Sequence, residues 1–400
     1  MVGPTVQIET TWDTRIWRIV GAPLVMPTTV GPLHGETVAV KDVFGVAGVA
    51  IGAGLRDFLA ERVPEPDHAA AVHTLLDAGA SVTGVAQTDA FAYSITGTSN
   101  NYGTPMNLAA PGRIPGGSSS GPSAAVAHGH ATIGLGTDTA GSIRVPAAYQ
   151  NLWGLRTTHG AMDTVGMVPL APSFDTVGWI TRDGATLARV VDAALVARSA
   201  IEESAPAAPV VLDPALIAAA DDEVADEIMR YADRFDADHI DLGLDLDDCR
   251  DTFTTVQAYE AWQSHGNWVA EHPTALPADI AARFAIGRAI SARDYMAARH
   301  RAHEIAARLR SAVESRVLLL PTATTIPAPT DADADALRCA RETTLQLTCL
   351  ASIGGLPAVT FPSSRSRLPI GICLVGAPHT DRSLVRLARR CAGGDDQTDD

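Results

Sequence analysis

Short apolar segments alternate with amphipathic segments between about residues 34 and 190. Residues 34–44 (HGETVAVKDVF) have the alternation of a strand that runs into a loop, and residues 68–80 have the spacing of a helix that closes on Gly79. The strand-like residues 81–88 follow, and the Gly- and Ser-rich residues 113–148 contain a predicted helix and then a strand. This alternation predicts an α/β fold with a sheet covered by helices.

The middle of the chain differs from both ends. A Pro-rich connection at residues 203–214 precedes three segments of helical period, residues 221–235, 256–272 and 291–316. From residue 317 the strand-like pattern returns, and a last helix is predicted from Asp381 to about Cys391. We therefore predict one domain over residues 1–400. It has a core at 30–190, a helical insert at 200–315, strands and a helix at 316–390 that complete the sheet, and an acidic tail at 393–400.

Composition narrows the classes of partner. The 400 residues carry a net charge of −16, which would repel nucleic acid and anionic membrane surfaces. The first 20 residues lack the apolar core of a secretory signal, and no apolar run is long enough to span a bilayer. The five cysteines have no CxxC spacing, so we expect reduced thiols, no metal site and a cytoplasmic location. We expect no cofactor.

The distribution of basic residues singles out one position. Of the 30 basic residues, Lys41 is the only lysine, and the others are arginines. A desolvated lysine can lose its proton, whereas arginine stays protonated. Because Lys41 ends an apolar strand, we expect its pKa to be depressed and its amine to be a candidate base.

Two further segments contain candidate nucleophiles. In residues 112–127 (GRIPGGSSSGPSAAVA), a glycine pair precedes a serine run and a helix. In residues 134–146 (GLGTDTAGSIRVP), Ser142 follows a turn of small residues that can direct consecutive backbone N–H groups at one point, as an oxyanion hole requires. A serine hydroxyl needs a base to act as a nucleophile, and a second hydroxyl could relay the proton to Lys41.

These segments resemble the amidase signature family. The resemblance rests on PGGSSSG, LGTDTAGSIRVPAA and GPLHGETVAVKD, with TGTSNNYGTPMN and GGLPAVTFP in support, and it covers roughly residues 30–190 and 315–390. It implies a mixed, twisted central sheet covered by helices on both faces. These motifs are most similar to those of small bacterial amidases and plant indole-3-acetamide hydrolases.

The resemblance implies a Ser–cisSer–Lys triad. Ser142 would be the nucleophile, Lys41 the base, and Ser118, after a cis peptide, the bridge. The backbone N–H groups of Thr139, Ala140, Gly141 and Ser142 would form the oxyanion hole. Four residues would support this machinery: Gly117, Ser119, Asp138 and Arg144. The alternative for Asp138 and Arg144 is that they only solvate a loop edge.

The implied activity is hydrolysis of a small aryl or alkyl carboxamide to an acid and ammonia or an amine. A urea-derived amide such as allophanate is the second substrate class. An amidotransferase subunit that needs partner chains and a non-catalytic binding protein are alternatives from other classes. A homodimer is the commonest state for such an enzyme.

Two other motifs have weaker interpretations. Residues 117–121 satisfy GxSxG, which would make Ser119 the nucleophile, but two prolines interrupt the strand that this motif requires. His128 and His130 are spaced as a metal pair, yet nothing nearby in the sequence completes a site.

Overall fold

The computed structural model describes residues 12–195 and 208–393. Its strands are β1 (Trp17–Val25), β2 (Thr37–Lys41), β3 (Ser81–Ala86), β4 (Ile133–Thr137), β5 (Trp153–Arg156), β6 (Val177–Thr181), β7 (Val210–Leu212), β8 (Asp238–His239), β9 (Val317–Pro321), β10 (Ala358–Pro362) and β11 (Gly371–Val375). Its helices are α1 (Arg56–Ala60), α2 (Ala70–Asp77), α3 (Ser120–Ala127), α4 (Arg144–Tyr149), α5 (Gly184–Ala194), α6 (Pro214–Ala218), α7 (Asp222–Phe235), α8 (Leu246–Glu271), α9 (Ala278–Ala289), α10 (Ala292–Val313), α11 (Ala334–Gly354) and α12 (Asp381–Cys391).

All of these strands belong to one mixed sheet. Their order is β1-β3-β2-β4-β6-β5-β10-β11-β9-β7-β8. Strand β2 is parallel to both β3 and β4, whereas β4, β6, β5, β10, β11 and β9 pair in antiparallel succession. The pairing of β5 with β10 joins strands from the two halves of the chain in one sheet.

Helices cover both faces of the sheet. Neighbouring residues of a strand point to opposite faces. In β5, a Cβ at Gly154 would meet Ala147 of α4 at 2.8 Å, while the adjacent Trp153 packs against Gly184 at the start of α5. The predicted fold class, a mixed sheet with helices on both faces, is therefore confirmed.

The sequence patterns located most core elements within a few residues. The last helix was predicted from Asp381 to about Cys391 and has those bounds. Nine elements were not predicted individually: the strands β1, β5 and β6 and the helices α1, α4, α5, α6, α9 and α11. The region predicted as helical also contributes the short strands β7 and β8 to the sheet. The predicted tail, apart from Gly393, and residues 200–207 of the predicted insert lie outside the described residues.

In the two described ranges, no helix combines the length and apolar character needed to cross a membrane.

Candidate active site

The candidate base and two hydroxyls meet where the carboxyl ends of strands β2 and β4 lie. Strands β2 and β4 are parallel neighbours, so their carboxyl ends, at Lys41 and Thr137, lie side by side. Lys41 Nζ lies 2.8 Å from Ser118 Oγ and 2.7 Å from Thr137 Oγ1. Ser118 precedes α3, and the Gly117–Ser118 peptide bond is cis. The topology therefore brings Lys41 to the serine run.

The Lys41 amine is fully buried. Burial lowers its pKa to about 7, although the carboxylates of Asp89, Asp138 and Asp175 act in the opposite direction. A lysine with such a pKa is largely neutral just above physiological pH, and a neutral amine can accept a proton.

Ser142 contacts the serine run through the backbone of Ser119. Its carbonyl accepts a hydrogen bond from the Ser119 amide at 3.3 Å, and its hydroxyl donates to the Ser94 carbonyl at 3.5 Å. Among the described residues, no hydrogen bond joins the hydroxyls of Ser118 and Ser142. A change of the Ser142 rotamer would be needed to direct its proton toward Ser118.

The turn before Ser142 is organised by the buried Asp138 carboxylate. Asp138 accepts from the Gly141 amide at 2.9 Å and the Ile143 amide at 3.2 Å. The Arg144 guanidinium approaches it through Nε at 3.0 Å and Nη2 at 2.8 Å, and Arg156 Nη1 lies 3.2 Å away. Burial alone would raise the pKa of Asp138, but the two guanidiniums outweigh it and hold the pKa well below its usual range. The Asp138–Arg144 pair thus ties the turn to α4 rather than solvating a loop edge.

The predicted oxyanion donors differ in how their amides are used. The Gly141 N–H already donates to Asp138. In the described part of the chain, the amides of Thr139, Ala140 and Ser142 have no hydrogen-bond acceptor. Gly141 has a φ of +114°, and a Cβ there would meet Thr348 at 3.0 Å, so the turn requires glycine at this position.

Two contacts fix the other side of the turn. Thr139 Oγ1 donates to the buried Asp175 carboxylate at 2.6 Å, and Asp175 also accepts from the amides of Leu170 and Ala171. From the opposite direction, Thr348 Oγ1 of α11 donates to the Ala140 carbonyl at 2.7 Å. The donor turn is therefore held by segments far apart in the sequence.

Ser119 and Gly117 are buried beside the serine pair. Ser119 Oγ donates to the Thr137 carbonyl at 3.4 Å, so this hydroxyl is used within the protein. A Cβ at Gly117 would meet Asp89 Oδ2 at 2.3 Å, which explains why only glycine fits there. Residues 117–121 enter a helix from an irregular segment, without the preceding strand that a GxSxG nucleophile needs.

Several residues at this site were not predicted from the sequence: Ser94, Thr137, Arg156, Asp175 and Thr348. Thr137 could have been found, because it ends the strand beside that of Lys41 within the GTDTAGS motif. The others lie in segments whose composition carries no signal, and only the fold brings them to the turn.

The histidine pair directly follows α3. The His128 and His130 rings lie 5.4 Å apart, with His130 near Trp12 and Trp17. Across residues 12–195 and 208–393, no group of three or more His, Cys, Asp or Glu side chains is arranged to hold a metal ion.

The buried Asp138 ion pair should matter for stability. We expect Asp138→Asn to lower the free energy of unfolding by about 3–5 kcal/mol, because it leaves the Arg144 and Arg156 cations buried without their carboxylate. Asp13→Asn is the control, since it removes the partly exposed pair with Arg15, and its effect should stay below about 1 kcal/mol. Urea unfolding of both variants measures the difference, and equal effects would contradict the assigned role of Asp138.

Comparison with known proteins identifies the class. The fold is that of amidase-signature enzymes: a solved amidase structure superposes with a TM-score of 0.80 and 28% identity, covering 89% of this chain and 84% of that one. The amidase family model matches residues 24–224.

Two relatives match over nearly the whole chain. Amidase 1 of Oryza sativa subsp. japonica is 32% identical over 391 residues, covering 89% of each chain. The 2-amino-5-chloromuconic acid deaminase of Comamonas testosteroni is 30% identical over 416 residues, covering 96% of this chain and 88% of the relative. The chain belongs to the amidase family. It is a hydrolase of amide C–N bonds, which confirms the class of enzyme predicted from the sequence.

Proposed function

We propose that the protein hydrolyses a small carboxamide through an acyl-enzyme on Ser142, with Lys41 as the base and Ser118 as the proton relay. The observation that carries this proposal is the 2.8 Å contact between the buried Lys41 amine and the Ser118 hydroxyl. The next residue, Ser119, donates its backbone amide to the Ser142 carbonyl, so Ser142 lies close to the same serine run. A serine hydroxyl becomes an effective nucleophile only when such a base is available.

The chemistry proceeds in two steps. Ser142 Oγ turns from the Ser94 carbonyl to Ser118 and attacks the amide carbonyl, while its proton passes through Ser118 Oγ to neutral Lys41. The amides of Thr139, Ala140 and Ser142 then donate to the oxyanion, and Gly141 supplies the turn that aligns them. The reverse relay protonates the leaving ammonia or amine. Water attacks the acyl-enzyme by the same route and releases the acid.

Asp138 and Arg144 act through the turn rather than on the substrate. Their buried pair fixes the start of α4, and Asp138 holds the Gly141 amide. Gly117 and Ser119 fix the serine run in the same manner. This preorganisation lets the oxyanion donors act without rearrangement in the transition state.

Small primary or simply substituted amides are the proposed substrates, and a urea-derived amide such as allophanate is the second class. The five free cysteines fit a reducing compartment such as the cytoplasm. A homodimer stays a prediction.

The test is covalent labelling with a serine-directed fluorophosphonate, read by intact mass and peptide mapping. We expect an adduct on Ser142 in the wild type, and none in Ser142→Ala or Lys41→Ala. An adduct that persists in Lys41→Ala would contradict the assignment of the base. No adduct in the wild type would favour a binding protein or an amidotransferase subunit that needs partner chains.

A further inference from the structure

A cleft between three helices is lined by Arg341, an arginine that makes no ion pair with another described residue. The cleft has a volume of about 380 Å³ and lies between α8, α9 and α11. Its walls include the apolar Ile286, Ile290 and Leu345 and the polar Tyr93 and Arg341. It therefore offers a surface for a ligand that is apolar along its length and charged at one end.

The charges around this cleft pair with one another, apart from Arg341. Arg250 pairs with Asp251 at 2.8 Å and also with Asp247. Arg283 pairs with Asp279 at 3.0 Å. Glu342, which also lines the cleft, pairs with Arg338 at 3.4 Å.

Arg341 has no such contact. Among the described residues it makes no hydrogen bond and no ion pair, and its Nε is buried without an acceptor. Burial and the nearby Arg283 cation lower the pKa of Arg341 to about 9, although Tyr93, Glu342 and Asp279 act in the opposite direction. A guanidinium nitrogen that is cut off from water without an acceptor costs free energy, and an anion bound in the cleft would offset that cost.

Two elements that line the cleft continue to the candidate catalytic residues. Tyr93 lines the cleft, and the carbonyl of the next residue, Ser94, accepts the Ser142 hydroxyl. On α11, Arg341, Leu345 and Thr348 share one face because they are spaced i, i+4 and i+7. Thr348 binds the Ala140 carbonyl in the turn that presents the oxyanion donors. Seven residues of helix span about 10 Å, so the Arg341 backbone lies about that far along α11 from the donor turn.

We propose that Arg341 binds a carboxylate at the far end of the acyl chain, so that the preferred substrates are primary amides of dicarboxylic acids. This inference rests on the proposed function. Because a primary amide leaves as ammonia, only its acyl part can carry the anion. Arginine suits this role, since its planar guanidinium binds a carboxylate through two parallel hydrogen bonds. The net charge of −16 repels anions at long range, so an anionic substrate needs such a local cation.

The experiment compares acidic and neutral amides of equal length. Succinamic, glutaramic and adipamic acids are paired with butanamide, pentanamide and hexanamide, and kcat/KM is measured by ammonia release. In the wild type, at least one acid should exceed its neutral partner by about tenfold to a hundredfold, the range for a hydrogen bond to a charged group. Arg341→Gln should bring that ratio close to one, and Arg341→Lys should keep part of it.

Arg338→Gln is the matched control, because Arg338 lies one turn earlier on α11 and pairs on its exposed side. The ratio should be unchanged in that variant. Equal rates on acid and neutral amides in the wild type, or an unchanged ratio in Arg341→Gln, would overturn the inference and leave the amidase function intact.

If neither kind of amide is hydrolysed, the proposed function fails while the anion site is still tested. Binding of adipate is then measured by calorimetry on the wild type and on Arg341→Gln. Binding that Arg341→Gln loses and Arg338→Gln keeps would support the site, whereas no binding to the wild type would overturn it.

Discussion

Ser142→Ala should lower kcat/KM on a good amide substrate by about 10⁶-fold, the loss typical of removing the nucleophile of a serine hydrolase. The alanine keeps the backbone amide of residue 142, so the oxyanion donors remain. Residual hydrolysis therefore reflects binding and the oxyanion hole alone. The measurement is ammonia release at fixed pH with purified wild type and variant.

Ser119→Ala is the control for this experiment. Ser119 is also buried in the serine run, but its hydroxyl donates to the Thr137 carbonyl and faces the backbone. We expect a much smaller loss from Ser119→Ala than from Ser142→Ala. A larger loss in Ser119→Ala would assign the nucleophile to the GxSxG segment and overturn the proposed mechanism.

The sequence predicted strands β2, β3, β4, β9, β10 and β11 because burial on both faces gives short apolar strands a clear signal. The pattern at β2 and β4 located both strands, and their parallel pairing then determines that Lys41 and Thr137 share an edge. The strand β1 was missed because, at the sheet edge, most of its residues are only partly buried, which weakens the alternation.

The helix α11 was missed for a different reason. Its threonines and cysteines do not form a simple apolar stripe, because they contact several partners at once. Thr348 binds the Ala140 carbonyl, and Thr344 binds the hydroxyl of Thr324 at 3.2 Å. Side chains selected for such contacts do not produce the hydrophobic periodicity from which a helix is predicted.

The candidate site could be predicted only in part. Lys41, Ser118 and Ser142 lie in segments with recognisable composition, and the structure brings Lys41 to Ser118. Asp175 and Arg156 support the turn. Asp175 lies 36 residues from its partner Thr139 in the sequence, and Arg156 lies 18 residues from its partner Asp138. Since such contacts arise from the packing of distant strands and loops, one sequence without its fold gives no sign of them.

The predicted role of Lys41 depends on its burial. The amine lies at the end of a buried strand, under a turn that α11 holds through Thr348. Water is excluded from Lys41, and this desolvation depresses its pKa. The same exclusion strengthens the hydrogen bonds that the turn offers to an oxyanion.

Lys41→Arg is the sharpest test of this argument, because it keeps the positive charge and removes the ability to lose a proton. All other basic residues of the chain are arginine, and the substitution replaces an amine that can lose its proton by a guanidinium that cannot. We expect kcat/KM to fall by about 10²–10⁴-fold, the usual contribution of a general base.

The pH profile separates loss of the base from loss of the fold. In the wild type, only neutral Lys41 accepts the proton, so kcat/KM should rise as the pH increases through about 7 and become level above it. The Lys41→Arg variant should lose this dependence, because its side chain stays protonated throughout the range. Asp89 is the charged neighbour to consider, since burial raises its pKa to about 6. Its titration lies close to that of Lys41, and the Lys41→Arg profile separates the two groups. A rise in kcat/KM near pH 7 that survives in Lys41→Arg would assign the titration to another group and remove Lys41 from the relay.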